Sequence, residues 1–268
     1  MATLADQTYL KEKQYKCPGN LEARINLHRR FGVNTYPWQR WVFDQLELSS
    51  GMRTLELGCG TGELWWRNQD RIPSDVFSIL GDLSIGMVRK AKTNISRDEN
   101  TNFICLDAQY IPIKPTGFDI VIANHMLYHV PNIPGTLLEI WNILKPGGRL
   151  YAATNGNGHM IELHKLIKKF KFDYNPDDFG ITRFSLESAP EIVGSVFPQV
   201  EIHQYNDHLE VTEVDPLVDY IISMRDTLGM NDIDALDNLK NHVLSIIKKV
   251  NSFRISKSQG LVIGVKNH

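Results

Sequence analysis

The sequence predicts an α/β protein: one open, parallel doubly wound sheet, completed to seven strands, with helical additions in its second half. Three observations carry this expectation. Short apolar runs alternate with stretches of helical periodicity from Thr54 to Ala153. The run Phe118 to Ala123 is nearly all apolar, as a strand covered on both faces requires. The first run enters the loop Gly58-Cys59-Gly60-Thr61-Gly62 and leaves it in helical pattern.

The elements follow in order. The first ~20 residues read as loosely structured and end at Pro18-Gly19-Asn20. Asn20 is the expected cap of a helix to about Phe31, with Leu21, Ile25 and His28 on one face. Pro37 suits the first turn of a second helix, along which Trp38, Val42 and Leu46 recur at helical spacing. Thr54 to Leu57 is the first strand, and a helix follows near Glu63 to Asn68. Val76 to Leu80 is the second strand, and Ser84 caps a helix carrying Met87, Val88 and Ala91. Asn102 to Leu106 and Phe118 to Ala123 are the third and fourth strands. A helix over Thr136 to Leu144 stops at Lys145-Pro146-Gly147-Gly148, and Arg149 to Ala153 is the fifth strand.

The second half reads differently. Helices are expected over Gly158 to Phe172, Ser185 to Phe197, Pro216 to Leu228 and Ile233 to Val250. Val200 to Tyr205 and Gly260 to Val265 complete the sheet. The expected division is an N-terminal helical segment, residues 1–50, and a main domain, residues 51–268, with helical insertions within about 157–250.

Composition excludes several classes. The 268 residues are 42% hydrophobic and 22% charged, which is globular rather than low-complexity or disordered. Lys and Arg number 29 against 31 Asp and Glu, so no basic excess points to nucleic acid or an anionic membrane. Cys17, Cys59 and Cys105 are far apart and form no CxxC pair, which argues against a disulfide framework or a structural zinc site. Met1 to Lys16 has no apolar core of a signal peptide, and no apolar run reaches the ~18 residues that span a bilayer. A soluble, cytoplasmic protein is expected.

The glycine loop is the most informative motif. A strand running into GxGxG and then a helix allows close backbone approach to a ligand and presents amides at a helix start. The dinucleotide fingerprint needs glycine where this chain has Glu63, whose charge opposes a pyrophosphate. Gly-Lys-Ser/Thr is absent as well, which removes a phosphate-cradling P-loop.

Glu56-Leu57-Gly58-Cys59-Gly60-Thr61-Gly62 resembles the first motif of class I S-adenosylmethionine-dependent methyltransferases. Further motifs agree in order and spacing. Asp82 ends the second strand and resembles the family's acid for the two ribose hydroxyls. Asp107-Ala108 follows the third strand and resembles the segment beside the adenine amine. Phe118-Asp119-Ile120-Val121, Asn124 and Leu127-Tyr128-His129-Val130 resemble the fourth strand and its loop. Leu144 to Leu150 resembles the turn into the fifth. The resemblance covers about residues 50–155 in detail. It implies a Rossmann-like seven-stranded fold and S-adenosyl-L-methionine as cofactor. The implied cofactor contacts are Glu56, Gly58, Cys59, Gly60, Asp82, Leu83, Met87, Asp107, Ala108 and Asn124, with Tyr36 closing over them. The chemistry is consistent: carboxylates only accept hydrogen bonds, a ribose diol and an amine donate, and a cationic sulfonium tolerates acids.

Other residues carry weaker signals. His125 and His129 are spaced four apart but lack the HExxH pattern, so no metal site is expected. No general base is identified; His129 and His159 are weak candidates, and an ordinary hydrogen-bonded histidine is the preferred reading of each. His164 to Phe172 interleaves Lys with Phe and Leu, read as a solvated face over an apolar stripe. Trp38, Trp41, Trp65 and Trp66 read chiefly as packing, and Cys59 as a small spacer without a neighbouring base. The expected function is direct methyl transfer to a small-molecule acceptor. RNA or protein methylation, a non-catalytic cofactor-binding regulator and a nicotinamide oxidoreductase are the alternatives. The acceptor, the methylated atom and the oligomeric state are not legible.

Overall fold

The computed structural model describes residues 18–95, 99–115, 117–170, 181–224 and 233–267. In chain order the elements are α1 (Pro18–Phe31), α2 (Trp38–Gln45), β1 (Arg53–Leu57), α3 (Glu63–Trp66), β2 (Phe77–Asp82) and α4 (Ile85–Asn94). Then come β3 (Thr101–Cys105), β4 (Phe118–Asn124), a 3-10 turn (Leu127–His129), α5 (Ile133–Ile143), β5 (Leu144–Asn155) and α6 (Ile161–Phe170). After a second 3-10 turn (Ile181–Phe184) follow α7 (Ala189–Gly194), β6 (Gln199–Gln204), β7 (Asp207–Val211), α8 (Val214–Ser223), α9 (Ile233–Val250), β8 (Phe253–Lys257) and β9 (Gln259–Val265).

The chain divides into two compact units. Residues 36–156, 181–205 and 259–268 form the sheet unit. Its seven strands lie in the order β3-β2-β1-β4-β5-β9-β6. Strands β1 to β5 are parallel, and β9 runs antiparallel between β5 and β6. The expected seven-stranded, Rossmann-like doubly wound sheet is therefore present. Alternation along each strand sends side chains to opposite faces. Leu55, Leu57, Val121, Ala123, Leu150 and Ala152 pack with α5 residues Leu137 and Ile140. Leu80, Ile120, Ile122, Tyr151 and Ala153 pack with Val42 and Phe43 of α2 and with Trp65 of α3. Glu56 lies between Leu55 and Leu57, so its side chain belongs to this second face.

The remaining described segments, within 1–35, 157–180 and 206–258, form the other unit. It combines α1, α6, α8 and α9 with the antiparallel pair β7–β8, around Leu27, Leu163, Ile167, Leu209, Leu217, Ile221, Leu239 and Val243. Asp207 and Lys257 are register partners in that pair and form a buried ion pair. On α6, Leu163, Leu166 and Ile167 are buried, whereas Lys165, Lys168 and Lys169 are exposed, as the interleaved pattern predicted.

Several boundaries differ from expectation. Helix α1 begins at Pro18 rather than after an Asn20 cap; the side chains of Asn20 and Leu21 lie outside the described residues. Helix α3 is a single turn, because the Asn68 amide bonds Trp65 O and closes the chain into a tighter turn. β5 begins at Leu144, so Pro146-Gly147-Gly148 lies inside the strand, across a register shift between Phe118 and Ile120. Helix α7 is shorter than Ser185 to Phe197, because residues 185–188 form a turn in which the Ser188 amide bonds Ser185 O and the Ser185 amide bonds Ser188 Oγ. Helix α8 spans Val214–Ser223; the end of the expected helix to Leu228 lies outside the described residues, as do Lys171, Phe172 and Cys17.

Candidate functional site

The chain leaves β1 for β2 and β3 on one side and returns to β4 on the other, so β1 and β4 bracket a switch of direction. In open α/β sheets, ligands bind outside the carboxyl ends of strands at such a point. Leu57 and Ala123 are register partners, which carries Gly58 and Asn124 out of the sheet at the same level.

The glycine loop is left-handed at Gly58 (φ 67°), Gly60 (φ 55°) and Gly62 (φ 75°), a conformation that L side chains adopt at a cost. Each glycine has its own reason. A Cβ on Gly58 would lie 2.8 Å from Met126 Cβ, and one on Gly62 2.7 Å from Ile95 Cδ1. A Cβ on Gly60 would meet nothing within 4 Å, so the main chain there faces open space.

Asp82, the last residue of β2, holds the loop. Its Oδ2 accepts the Gly60 amide at 2.9 Å and its Oδ1 the Ser84 amide at 2.8 Å. Burial pushes its carboxyl up, opposed by the Ser84 and Gly60 amides. Ser84 Oγ caps α4 by accepting the Met87 amide at 3.4 Å. Leu83 and Met87 are partly exposed on this side of α4.

Glu56 is 2% exposed, and its Oε2 accepts the Trp65 indole N–H at 2.7 Å. Burial raises its carboxyl to about 8; the indole pulls it down, and Asp82 adds to the rise. Cys59 is buried, and burial with the two nearby acids pushes its thiol far up, which makes it a poor nucleophile. Among the described residues no Lys, Arg or His forms an ion pair with Glu56 or Asp82. The crevice is therefore acidic and selects against anions.

The other sequence candidates are placed as follows. Asp107 follows β3; its Oδ1 accepts the Gln109 amide at 3.0 Å, and the Gln109 side-chain amide lies within 3.3 Å of both oxygens. The Ala108 side chain is taken up by the core beside Leu106 and Ile111. Asn124 ends β4, and its Oδ1 is buried with no hydrogen-bond partner. The next residue, His125, is left-handed (φ 55°), and its ring lies 5.2 Å from that of Trp38. Trp38 also packs on Trp41 and Tyr205. Tyr36 is exposed; its hydroxyl donates to Asp44 at 2.6 Å.

His129 closes the 3-10 turn against Tyr128, so it shares no helical face with His125. His159 belongs to the other unit, where its Nδ1 accepts the Ser258 amide at 3.3 Å and its ring stacks on His28. The sheet unit thus gathers Glu56, Gly58, Cys59, Gly60, Asp82, Leu83, Met87, Asp107 and Asn124 around the carboxyl ends of β1 to β4, with Tyr36 at the head of α2. The sequence reads Trp65 chiefly as packing; its bond to Glu56 has no local signal, because only the fold brings α3 against β1.

Residues 55–152 match a family model described as a methyltransferase domain. The chain is 30% identical over 183 residues to malonyl-[acyl-carrier protein] O-methyltransferase 2 of Ilyobacter polytropus, a match covering 64% of this chain and 68% of the relative. It is 28% identical over 142 residues to the ubiquinone/menaquinone biosynthesis C-methyltransferase UbiE of Methylococcus capsulatus, covering 52% of this chain and 57% of the relative. The chain thus spans little more than half the length of some curated relatives it matches. The fold resembles that of Haemonchus contortus phosphoethanolamine N-methyltransferase 2, solved with S-adenosyl-L-methionine, at TM-score 0.59 and 18% identity, over 100% of this chain and 61% of that one.

Proposed function

Because this chain belongs to the class I S-adenosylmethionine-dependent methyltransferase family, we propose that it binds S-adenosyl-L-methionine at the ends of β1 to β4 and methylates a small-molecule acceptor. The observation that carries the reading is the open main chain at Gly60, pinned by the part-buried Asp82 beside the buried acid Glu56.

These residues fit the cofactor. Two acids without a cationic partner suit a ligand with positive charge and hydroxyl donors, and repel a pyrophosphate. The orphaned Asn124 Oδ1 calls for a donor, which an ammonium supplies. When bound, the cofactor supplies a methyl group already activated by a positive sulfur. Glu56 and Asn124 then hold its amino-acid end, Asp82 its ribose and Asp107 its adenine amine. Gly58, Cys59 and Gly60 offer main chain without side-chain clash, and Leu83 and Met87 offer apolar contact. What remains for the protein is to align the acceptor and exclude water. Within the sheet unit we assign a share in acceptor choice to Tyr36, which lies outside the stretch where the resemblance to the family is detailed. His129, in the same unit as the cofactor residues, remains a candidate for contact with the acceptor.

No helix among the described residues is long and apolar enough to cross a membrane. With Cys59 and Cys105 free, we place the protein in the reducing cytoplasm. Calorimetry tests the cofactor reading. S-adenosylhomocysteine is expected to bind and NADH is not; the reverse result refutes the proposal. Turnover of a panel of small acceptors against bulk RNA and protein tests the acceptor class.

A further inference from the structure

We propose that Trp65 is a positioning residue: its indole N–H presets the Glu56 carboxylate for a cationic cofactor, so that cofactor capture expels a proton from Glu56. The inference rests on the cofactor reading above and goes beyond it.

The geometry begins with strand alternation. Glu56 points to the face of the sheet that holds Trp65, and its register neighbours Leu80 and Ile122 are apolar. The titratable groups that act on it are Asp82, from the end of β2, and Cys59, from the loop. Both are negative when ionised, so neither favours a charged Glu56. Its hydrogen-bond partner is the indole of Trp65, itself 1% exposed. An indole N–H donates and carries no charge. It orients one carboxylate oxygen but does not offset a full negative charge removed from water.

A buried carboxyl in such a place keeps its proton until a cation arrives. The rise of Glu56 to about 8 agrees with this. Capture of the ligand then balances as protonated Glu56 plus cationic ligand giving the ion pair plus one proton, which passes to the buffer. Trp65 holds Oε2 and leaves Oε1 for the ligand, so the carboxylate need not search for its orientation at the moment of binding. The same bond lowers the cost of ionising Glu56, which gives Trp65 a readout that packing alone lacks.

The test is calorimetric titration of the full chain with S-adenosylhomocysteine, whose ammonium is the cation, between about pH 6 and 9, in two buffers of different ionisation heat. The wild type is expected to release close to one proton per ligand near neutral pH. Its affinity should rise by up to roughly tenfold per pH unit and level off above about 8. Trp65→Phe keeps an apolar aromatic ring, smaller than the indole, and loses the donor. Its levelling point moves upward, so it binds several-fold more weakly at neutral pH and recovers toward pH 9. Glu56→Gln releases no proton and binds with no pH dependence over this range, and it carries the test whether or not Trp65→Phe folds. Wild-type binding without proton release overturns the proposal, as does a folded Trp65→Phe with the wild-type pH profile. Absence of S-adenosylhomocysteine binding at every pH overturns the cofactor reading instead.

Discussion

The Asp82 carboxylate accepts the Gly60 amide across 2.9 Å, so the acid at the end of β2 fixes the shape of the loop that follows β1. Its other oxygen starts α4 by accepting the Ser84 amide. Asp82→Ala is therefore expected to do more than trim a ligand contact. Lost charge-assisted bonds cost about 1–3 kcal/mol in S-adenosylhomocysteine affinity, and the loosened loop lowers the unfolding temperature. Calorimetry and thermal unfolding of the same samples check both effects. A folded variant with unchanged affinity removes Asp82 from the site.

Gly58 and Gly60 separate folding from binding. Gly58→Ala places a methyl 2.8 Å from Met126 Cβ, so this variant should lose stability first. Gly60→Ala meets no neighbour and carries only the cost of a left-handed alanine, about 1–2 kcal/mol. Its methyl enters the open space over the loop, so its affinity for S-adenosylhomocysteine should fall more than its stability. Equal losses of affinity and stability in Gly60→Ala would show that this space takes no ligand.

The pH dependence of stability follows from Glu56. Its carboxyl lies at about 8 in the folded chain against an ordinary value near 4.5. Between those limits the folded state holds the proton and the unfolded state does not. The contribution of Glu56 is therefore fully present below about pH 4.5 and is lost as pH rises through 8. Glu56→Gln should flatten this segment of the ligand-free stability curve. Urea titrations at several pH values measure it; parallel curves for the two proteins would contradict the assignment.

Asp207 and Lys257 anchor β7 to β8, with side chains 3% and 7% exposed. Asp207 also accepts the Asn34 and His208 amides. Asp207→Ala leaves a buried ammonium and should cost about 3–5 kcal/mol. Adding Lys257→Met should restore part of that loss, because the buried ammonium is replaced by an apolar side chain. A double-mutant cycle by chemical denaturation gives the coupling, and a value near zero would deny the pair a structural role.

Local pattern was enough for the frame of this protein. The apolar runs, the left-handed glycines and the Ser84 cap act within a few residues, so periodicity and turn chemistry expose β1 to β5, the glycine loop and the helix after β2. The acids at Glu56, Asp82 and Asp107 are legible only through the resemblance to class I methyltransferases, whose motifs the chain matches in order and spacing. Tertiary structure decided what no short window contains. The strands β7 and β8 escaped the reading because each is short and its partner lies beyond two helices. That Asp207 and Lys257 meet follows only from that pairing. Trp65 reads as packing until the turn after the glycine loop carries its N–H to Glu56, and Asp82 reads as a ligand contact until its oxygens are found on Gly60 and Ser84. These bonds join residues distant in sequence, and their strength depends on burial, which arises only when the whole sheet closes over its core.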